Sequence, residues 1–254
     1  AARGFSGDDD ILDGDRGFWR MAGSTACDWE AMTRDLGDLW LLNEVSYKRY
    51  PACRFIHGPL DLFADLLASE NLDAAEIEHV EVLLPRAATR PYFTNPAPAD
   101  VVEGSFSVPH LFACMAHRLP VGPAWHTDAT LSQPDIADFR GRVAVTVDPR
   151  TAEHTDSATI GDGANANRQC PTGLRVTARG QTFTASTLYA SGDPWTSGTY
   201  LPNAALEAKF LDYTGGVLGP EGARAALRSI QDLATAPTVR DLRLATPELI
   251  LSNA

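Results

Sequence analysis

The sequence predicts an α+β fold, with a mixed domain of strands and helices between two helical segments. Strand-like alternation and amphipathic helical spacing interleave through the middle of the 254-residue chain, whereas both ends carry only helical patterns. We therefore divide the chain into a helical segment at 1–44, an α+β domain at 45–192 and C-terminal helices at 193–254. The helical parts hold too few residues to enclose a core, so we expect them to pack on something outside this chain.

The composition excludes several classes of function. Hydrophobic residues make up 44% and charged residues 21%, which is typical of a globular protein. Acidic residues outnumber basic ones 33 to 21, and the formal net charge of −12 argues against nucleic acid or an anionic membrane surface as a partner. No apolar run approaches the roughly 18 residues of a membrane span, and no secretory leader is recognised at the start. Basic residues are nearly all arginine; the two lysines are Lys48 and Lys209.

The four cysteines, Cys27, Cys53, Cys114 and Cys170, are widely and irregularly spaced. A chain of this length does not need disulfides for its stability, so we expect reduced thiols and a cytoplasmic location.

The first helical segment is interrupted by acidic residues at 8–10, 13 and 15. A calcium loop would need acids at positions 1, 3 and 5, Gly at 6 and Glu at 12, and no register supplies them. We interpret the stretch as a solvated loop with helix caps. A short helix is predicted over 17–21, and apolar spacing predicts another over 29–40.

The elements of the mixed domain follow from spacing and punctuation. Alternation over 42–50 predicts a strand that ends at Pro51, and apolar residues at i, i+3, i+4 and i+7 predict an amphipathic helix over 57–68. The prolines of 86–100 predict a loop, and residues 179–181 predict the turn of a hairpin. The remaining predictions are strands over 77–85, 142–148, 174–178 and 182–188, helices over 106–117, 134–139, 203–211, 222–233 and 239–242, and a loop over 161–173.

The densest polar cluster occupies residues 46–57. Lys48 and Arg54 are suited to a carboxylate ligand, and Arg54 offers a bidentate fork. His57 at a helix start is suited to proton transfer, and Cys53 to a thiolate role if nearby cations lower its pKa. The alternative is a surface lysine, a packed cysteine and a capping histidine, and residue types alone favour this alternative.

Two other patterns have a functional and a structural interpretation. His110, Cys114 and His117 share one helix face, as metal ligands would, but the helix is otherwise apolar and no fourth ligand has suitable spacing. We interpret them as polar residues on a core helix and expect no metal. Residues 161–167 lack the strand, lysine and glycine spacing of a phosphate loop, so we predict a flexible lid loop, with Arg168 as a candidate anion contact.

Four segments carry a resemblance to a known family. Residues 48–61 read Lys-Arg-Tyr-Pro-Ala-Cys-Arg-Phe-Ile-His-Gly-Pro-Leu-Asp, and residues 4–18 contain Gly-Phe-Ser-Gly, Ile-Leu-Asp-Gly and Gly-Phe. Residues 105–110 read Ser-Phe-Ser-Val-Pro-His, and residues 206–210 read Leu-Glu-Ala-Lys-Phe. In this order they resemble the MmgE/PrpD family, which includes 2-methylcitrate dehydratase, cis-aconitate decarboxylase and related epimerases.

The resemblance implies a helical domain, an α+β lid domain and an active site in the cleft between them. It further implies small polycarboxylate substrates, no metal or organic cofactor, and elimination, addition, decarboxylation or epimerisation beside a carboxylate. Such chemistry needs cations to hold the carboxylates and an acid–base pair to move a proton. Lys48 matches the family's motif lysine and His57 its final histidine, and we expect both to be catalytic. We expect the substrate to be bound by Arg49, Cys53, Arg54, Ser107 and His110.

The chain departs from the family in ways that define its expected role. It corresponds to the family's second half, whereas the first half supplies an aspartate, a threonine and histidines to the site. His110 occupies the position of a motif tyrosine, and Asp13 that of a glutamate. We therefore expect one subunit of a split lyase or isomerase, completed by a second chain carrying the N-terminal helical half in a heterodimer or a dimer of heterodimers. Dehydration, decarboxylation, epimerisation and cyclisation, for example in secondary metabolism, remain open.

Two alternatives stand beside this hypothesis. The chain would otherwise be a non-catalytic partner that stabilises or regulates a full-length relative. A third reading is a proteolytic or cloning fragment of an ordinary full-length enzyme, which the coding sequence upstream of Ala1 would settle.

Overall fold

The computed structural model has two compact units, Ala1–Glu44 and Val45–Ala254. The predictions for the acidic stretch at 8–10, 13 and 15, the loop at 161–167 and the helix at 239–242 fall outside the described residues. The described residues are 4, 7, 11–12, 17–25, 27–151 and 168–238.

The first unit contains two short helices, α1 (Phe18–Met21) and α2 (Trp29–Thr33), and a 3-10 turn at Leu41–Glu44. The prediction of one helix over 29–40 is too long. A turn follows α2, in which Gly37 adopts a φ of +94°, a left-handed conformation that ends a right-handed helix. Large apolar side chains in this unit are more than half exposed, namely those of Phe18, Met21, Leu36, Trp40 and Leu42.

The predicted strand over 42–50 is wrong. After the 3-10 turn, residues 45–50 form an irregular segment. The backbone N–H of Tyr47 donates to the Gly192 carbonyl at 2.9 Å, a single tie where a strand would need a ladder. The side chains of Val45 and Tyr47 are about half exposed, so the alternating apolar residues do not form the buried face of a strand.

The second unit is built on a four-stranded mixed sheet with the order β2-β1-β3-β4. β1 pairs in parallel with β2 and antiparallel with β3, and β3 pairs antiparallel with β4. Arg179 and Gly180 join β3 to β4 with φ values of +54° and +69°, which is the backbone of a tight hairpin turn and confirms the predicted hairpin. The strands are β1 (Ile77–Leu84), β2 (Val143–Val147), β3 (Thr172–Ala178) and β4 (Gln181–Thr187).

Helices pack on the sheet and form the core with it. The predicted amphipathic helix is confirmed as α3 (His57–Ser69), which packs on β3 and β4. Its Phe63 ring lies 4.9 Å from the ring of Phe112, between centroids, and both side chains are fully buried. This pair anchors α3 against the crossover that connects β1 to β2 in parallel.

The crossover contains more helix than the prolines indicated. The predicted helix over 106–117 is confirmed and begins two residues later than predicted, because the Ser107 hydroxyl accepts the His110 N–H at 3.2 Å as its cap. Its helices are α4 (Pro91–Thr94), α5 (Val101–Phe106), α6 (Val108–Ala116), α7 (Asp128–Leu131) and α8 (Pro134–Arg140).

The C-terminal part of the described chain is α9 (Asn203–Gln231), which a break at Gly219 divides into two helical pieces, as the sequence predicts; the first piece extends beyond the predicted 203–211. Gly219 takes non-helical angles, φ 69° and ψ 164°, directly before Pro220, so the helix is kinked there. Within the described ranges, no helix combines the length and apolarity needed to cross a membrane.

A glycine holds the irregular segment against the C-terminal part of the mixed domain. Gly192 has a φ of +101°, and a Cβ built on it would lie 1.8 Å from the Tyr47 carbonyl oxygen.

We predict that Gly192→Ala lowers the free energy of unfolding by about 3 kcal/mol or more, because it adds a backbone clash to left-handed strain. Gly180→Ala is the matched control, since Gly180 has a φ of +69° but no atom within 4 Å of its Cβ position. We expect it to cost about 1 kcal/mol in urea unfolding. Equal losses of unfolding free energy in Gly192→Ala and Gly180→Ala would contradict the predicted clash.

Candidate functional site

The irregular segment borders a cavity of about 620 Å³, which we call the lysine cavity. Its walls come from the loop at 48–53, from α5, from the 3-10 turn Pro123–His126 and from α9. The lining residues are Lys48, Tyr50, Pro51, Ala52, Cys53, Val101, Val102, Ser105, Phe106, Pro123, His126, Lys209 and Tyr213.

Both lysines of the chain line this cavity. The Lys209 ammonium donates a hydrogen bond to the Lys48 carbonyl and lies 5.3 Å from the centre of the Tyr213 ring. Burial and, secondarily, the charge of Lys48 lower the pKa of Lys209. No carboxylate is among the described residues that line the cavity. The described lining therefore includes two lysines and no acidic side chain, which favours an anionic ligand.

Three basic side chains hold the loop at 48–53 through its carbonyls. Besides the Lys209 bond to Lys48, the Nε2 of His126 lies 2.7 Å from the Pro51 carbonyl, and the Nε2 of His57 lies 3.3 Å from that of Ala52. A carbonyl only accepts, so Nε2 carries the proton in both rings. Side chains from three different elements therefore fix the conformation of the loop.

His57 lies beneath the loop and does not line the lysine cavity. Its side chain is 1% exposed, and the Tyr50 ring meets it edge-on with centroids 5.4 Å apart. Burial lowers the pKa of His57 to about 4, so the ring is neutral at pH 7. This geometry fits support of the Ala52 carbonyl; the ring does not cap α3, whose N-cap is Ile56.

Cys53 lines the cavity, whereas Arg54 turns away from it. Burial raises the pKa of Cys53 despite the lowering effect of the Lys48 and Arg54 charges, so the thiolate considered from the sequence is not favoured. Arg54 is bound 2.6 Å from Asp193, whose side chain is 2% exposed, and this ion pair anchors the loop rather than a ligand.

Arg49 borders a neighbouring cavity of about 580 Å³, which shares Lys209 and Tyr213 with the lysine cavity and also contains Asp212. The guanidinium of Arg49 lies 3.5 Å from the Asp61 carboxylate. Arg49 is exposed, so this contact leaves most of its surface in solvent.

Ser107 and His110 belong to the core of the crossover. The Ser107 hydroxyl donates to the Asn95 carbonyl at 2.5 Å in addition to capping α6. His110 is fully buried; its Nε2 donates to the Trp125 carbonyl at 2.7 Å, and its Nδ1 accepts from Arg140 at 3.1 Å. Burial lowers the pKa of His110 to about 4. Neither residue lines the lysine cavity.

The three residues considered as metal ligands do not converge. The Cys114 thiol lies 3.6 Å from the Nε2 of His110, but the His117 ring packs against Phe139 with centroids 5.9 Å apart. Across the part of the chain that the structure describes, no three histidine, cysteine or acidic side chains form a group that could hold a metal ion.

Five polar residues of the cavity were not predicted from the sequence, namely Tyr50, Ser105, His126, Lys209 and Tyr213. Lys209 carried a signal, because it is one of two lysines in the chain. Tyr213 follows it by four residues, which is the spacing that places two side chains on one helix face. His126 carried none, since it stands alone in a short turn far from residues 46–57.

The fold is an α/β domain in which a basic cavity opens beside an irregular loop, an arrangement suited to small anionic ligands. The family model for the MmgE/PrpD C-terminal domain matches residues 50–235. The chain therefore belongs to the MmgE/PrpD family, whose members are in general enzymes of the lyase and dehydratase type. Lys48 and Arg49 directly precede the matched range. No curated protein matches the chain significantly.

The neutral histidines predict how stability depends on pH. His57 and His110 titrate near 4 in the folded chain and near 6.5 when unfolded, so between these values the unfolded chain binds protons that the folded chain does not. Stability is fully present above pH 6.5 and falls as the pH drops toward 4, by about 3 kcal/mol for each ring.

Urea unfolding at about pH 7.5 and pH 4.5 measures this loss. We expect His57→Gln to reduce the difference between the free energies of unfolding measured at the two pH values. We expect His79→Gln, which alters an exposed histidine on β1, to leave the difference unchanged. The same pH dependence in His57→Gln and the unsubstituted chain would contradict the assignment.

Proposed function

We propose that this chain is a subunit of a split MmgE/PrpD-type lyase or isomerase that acts on a carboxylated small molecule. The observation that carries the proposal is the lysine cavity, whose described lining includes both lysines of the chain and no carboxylate. The reaction class is proton transfer beside a carboxylate, as in dehydration, decarboxylation, epimerisation or cyclisation. Family membership supports the lyase and dehydratase part of this assignment.

We assign carboxylate binding to Lys48 and Lys209. Their charges also offset the negative charge that builds up when a proton is removed beside a carboxylate or carbonyl, which is the main electrostatic demand of this chemistry. Lys209 is pre-oriented by the Lys48 carbonyl and the Tyr213 ring, so little conformational freedom is lost when a ligand binds. His57 acts by holding the Ala52 carbonyl, and through it the loop that carries Lys48.

We assign the missing proton-transfer groups to a second chain that carries the family's N-terminal helical half. The unit Ala1–Glu44 exposes large apolar side chains such as Trp40 and Leu42, and exposed apolar surface of this kind favours a protein partner. The same surface also supports the second candidate function, a non-catalytic partner that stabilises or regulates a full-length relative. The two functions differ in whether the lysine cavity binds a carboxylate.

Alkylation of Cys53 reports on occupancy of the lysine cavity. We predict that succinate slows the reaction of Cys53 with iodoacetamide at about pH 8, because the ligand at Lys48 and Lys209 covers the thiol in the same cavity. Peptide mass spectrometry follows the rate, and Cys27, which lies in the other unit, is the internal reference.

Substitution of the lysines tests which charges hold the succinate. We expect Lys48→Met and Lys209→Met to weaken protection about ten-fold or more, since each removes a charge-assisted contact. Lys209→Arg keeps the charge and should retain protection. Arg224→Met, which removes an exposed cation elsewhere on α9, is the matched control and should protect as well as the unsubstituted chain. Protection that is absent, or unchanged in both methionine variants, would favour the non-catalytic function.

Native mass spectrometry of the particle isolated from the cells that make this chain tests the split enzyme. We predict a second polypeptide with a helical, MmgE/PrpD-like N-terminal sequence, identified from its peptides, at a one-to-one ratio. A particle that holds only copies of this chain would contradict the split-enzyme proposal.

A further inference from the structure

The lysine cavity is lined by cationic side chains from the loop at 48–53 and α9 and by apolar side chains from α5. Val101 and Val102, in the first turn of α5, are 57% and 63% exposed, and Phe106 and Pro123 extend the same wall. Covering valine side chains with this exposure by a ligand is favourable, because it removes apolar surface from water.

The apolar wall offers no additional cation to a ligand. Its one hydroxyl, that of Ser105, already donates to the Val102 carbonyl at 2.8 Å. A ligand that filled the cavity with carboxylates on every side would place some of them against Val101 and Val102, where no described side chain replaces their hydration.

We propose that the ligand is an amphipathic carboxylate, with its charged end at Lys48 and Lys209 and an apolar substituent larger than a methyl group on the wall formed by Val101, Val102 and Phe106. This inference rests on the proposed function and names its substrate class. Charge complementarity favours this orientation, because the two lysines come from the loop at 48–53 and α9, whereas the apolar side chains come from α5.

A series of ligands with one head group and different chains measures the apolar contribution. The probes are succinate, n-butylsuccinate and n-octylsuccinate, titrated by calorimetry into the protein in the assembly in which it is isolated. We expect affinity to rise about four-fold for each methylene that is buried and to level off once the wall is covered. n-Octyltrimethylammonium, which has the chain without the carboxylate, should not bind.

A pair of variants tests whether the dependence of affinity on chain length comes from the apolar wall of the cavity. Val102→Asn should flatten the dependence of affinity on chain length, and little packing is lost because Val102 is 63% exposed. Val217→Asn, at a 61% exposed valine on α9 outside both cavities, is the matched control and should keep the full slope. Lys209→Met should weaken all three succinates by a similar factor.

The outcomes separate this inference from the proposed function. Equal affinity for the three succinates, with loss in Lys209→Met, would overturn the amphipathic ligand and leave the carboxylate function standing. Binding of n-octyltrimethylammonium as tight as that of n-octylsuccinate would overturn it in favour of a purely apolar docking surface. If no succinate binds, both proposals fail.

Discussion

The structure of the site depends on how the carbonyls of the loop at 48–53 are bound. Because this loop is not a strand, no ladder satisfies its backbone, and side-chain donors take that role. Lys209, His126 and His57 each donate to one carbonyl, and they come from α9, a 3-10 turn and α3. The position of Lys48 is therefore set jointly by three elements that are far apart in sequence.

Two buried or half-buried aspartates explain how a chain with a net charge of −12 presents a basic cavity. Asp193 accepts from Ser46 at 2.8 Å as well as from Arg54, and Asp61 accepts from the Tyr50 hydroxyl at 2.8 Å. These carboxylates are committed to anchoring the loop and do not line the lysine cavity. Neither of these two aspartates is therefore placed to neutralise the lysine charges within the cavity.

Regular elements could be predicted from the sequence wherever a local pattern matched a buried face. The helix α3 and the hairpin of β3 and β4 were predicted because their spacing and turn residues are local signals. The segment 42–50 has the same alternation but no neighbouring strand, and the presence of a neighbour is a property of the tertiary structure. Local pattern alone could not distinguish the two cases.

The candidate site shows the same division between local and tertiary information. Lys48 and Cys53 of the predicted set line the lysine cavity, whereas His57, Ser107 and His110 are buried and bond to backbone groups. A polar residue in a sequence cluster is equally suited to a ligand and to a backbone carbonyl, and only the fold decides which it meets.

The buried histidines bear on the charge of the site. Burial lowers the pKa of His57, His110 and His126, and each donates its Nε2 proton to a carbonyl. A neutral ring gives the loop a donor without adding a buried positive charge beside Lys48 and Lys209, whose mutual repulsion a third cation would increase. The positive charge of the cavity therefore rests on Lys48 and Lys209, the two residues to which we assign the anionic ligand.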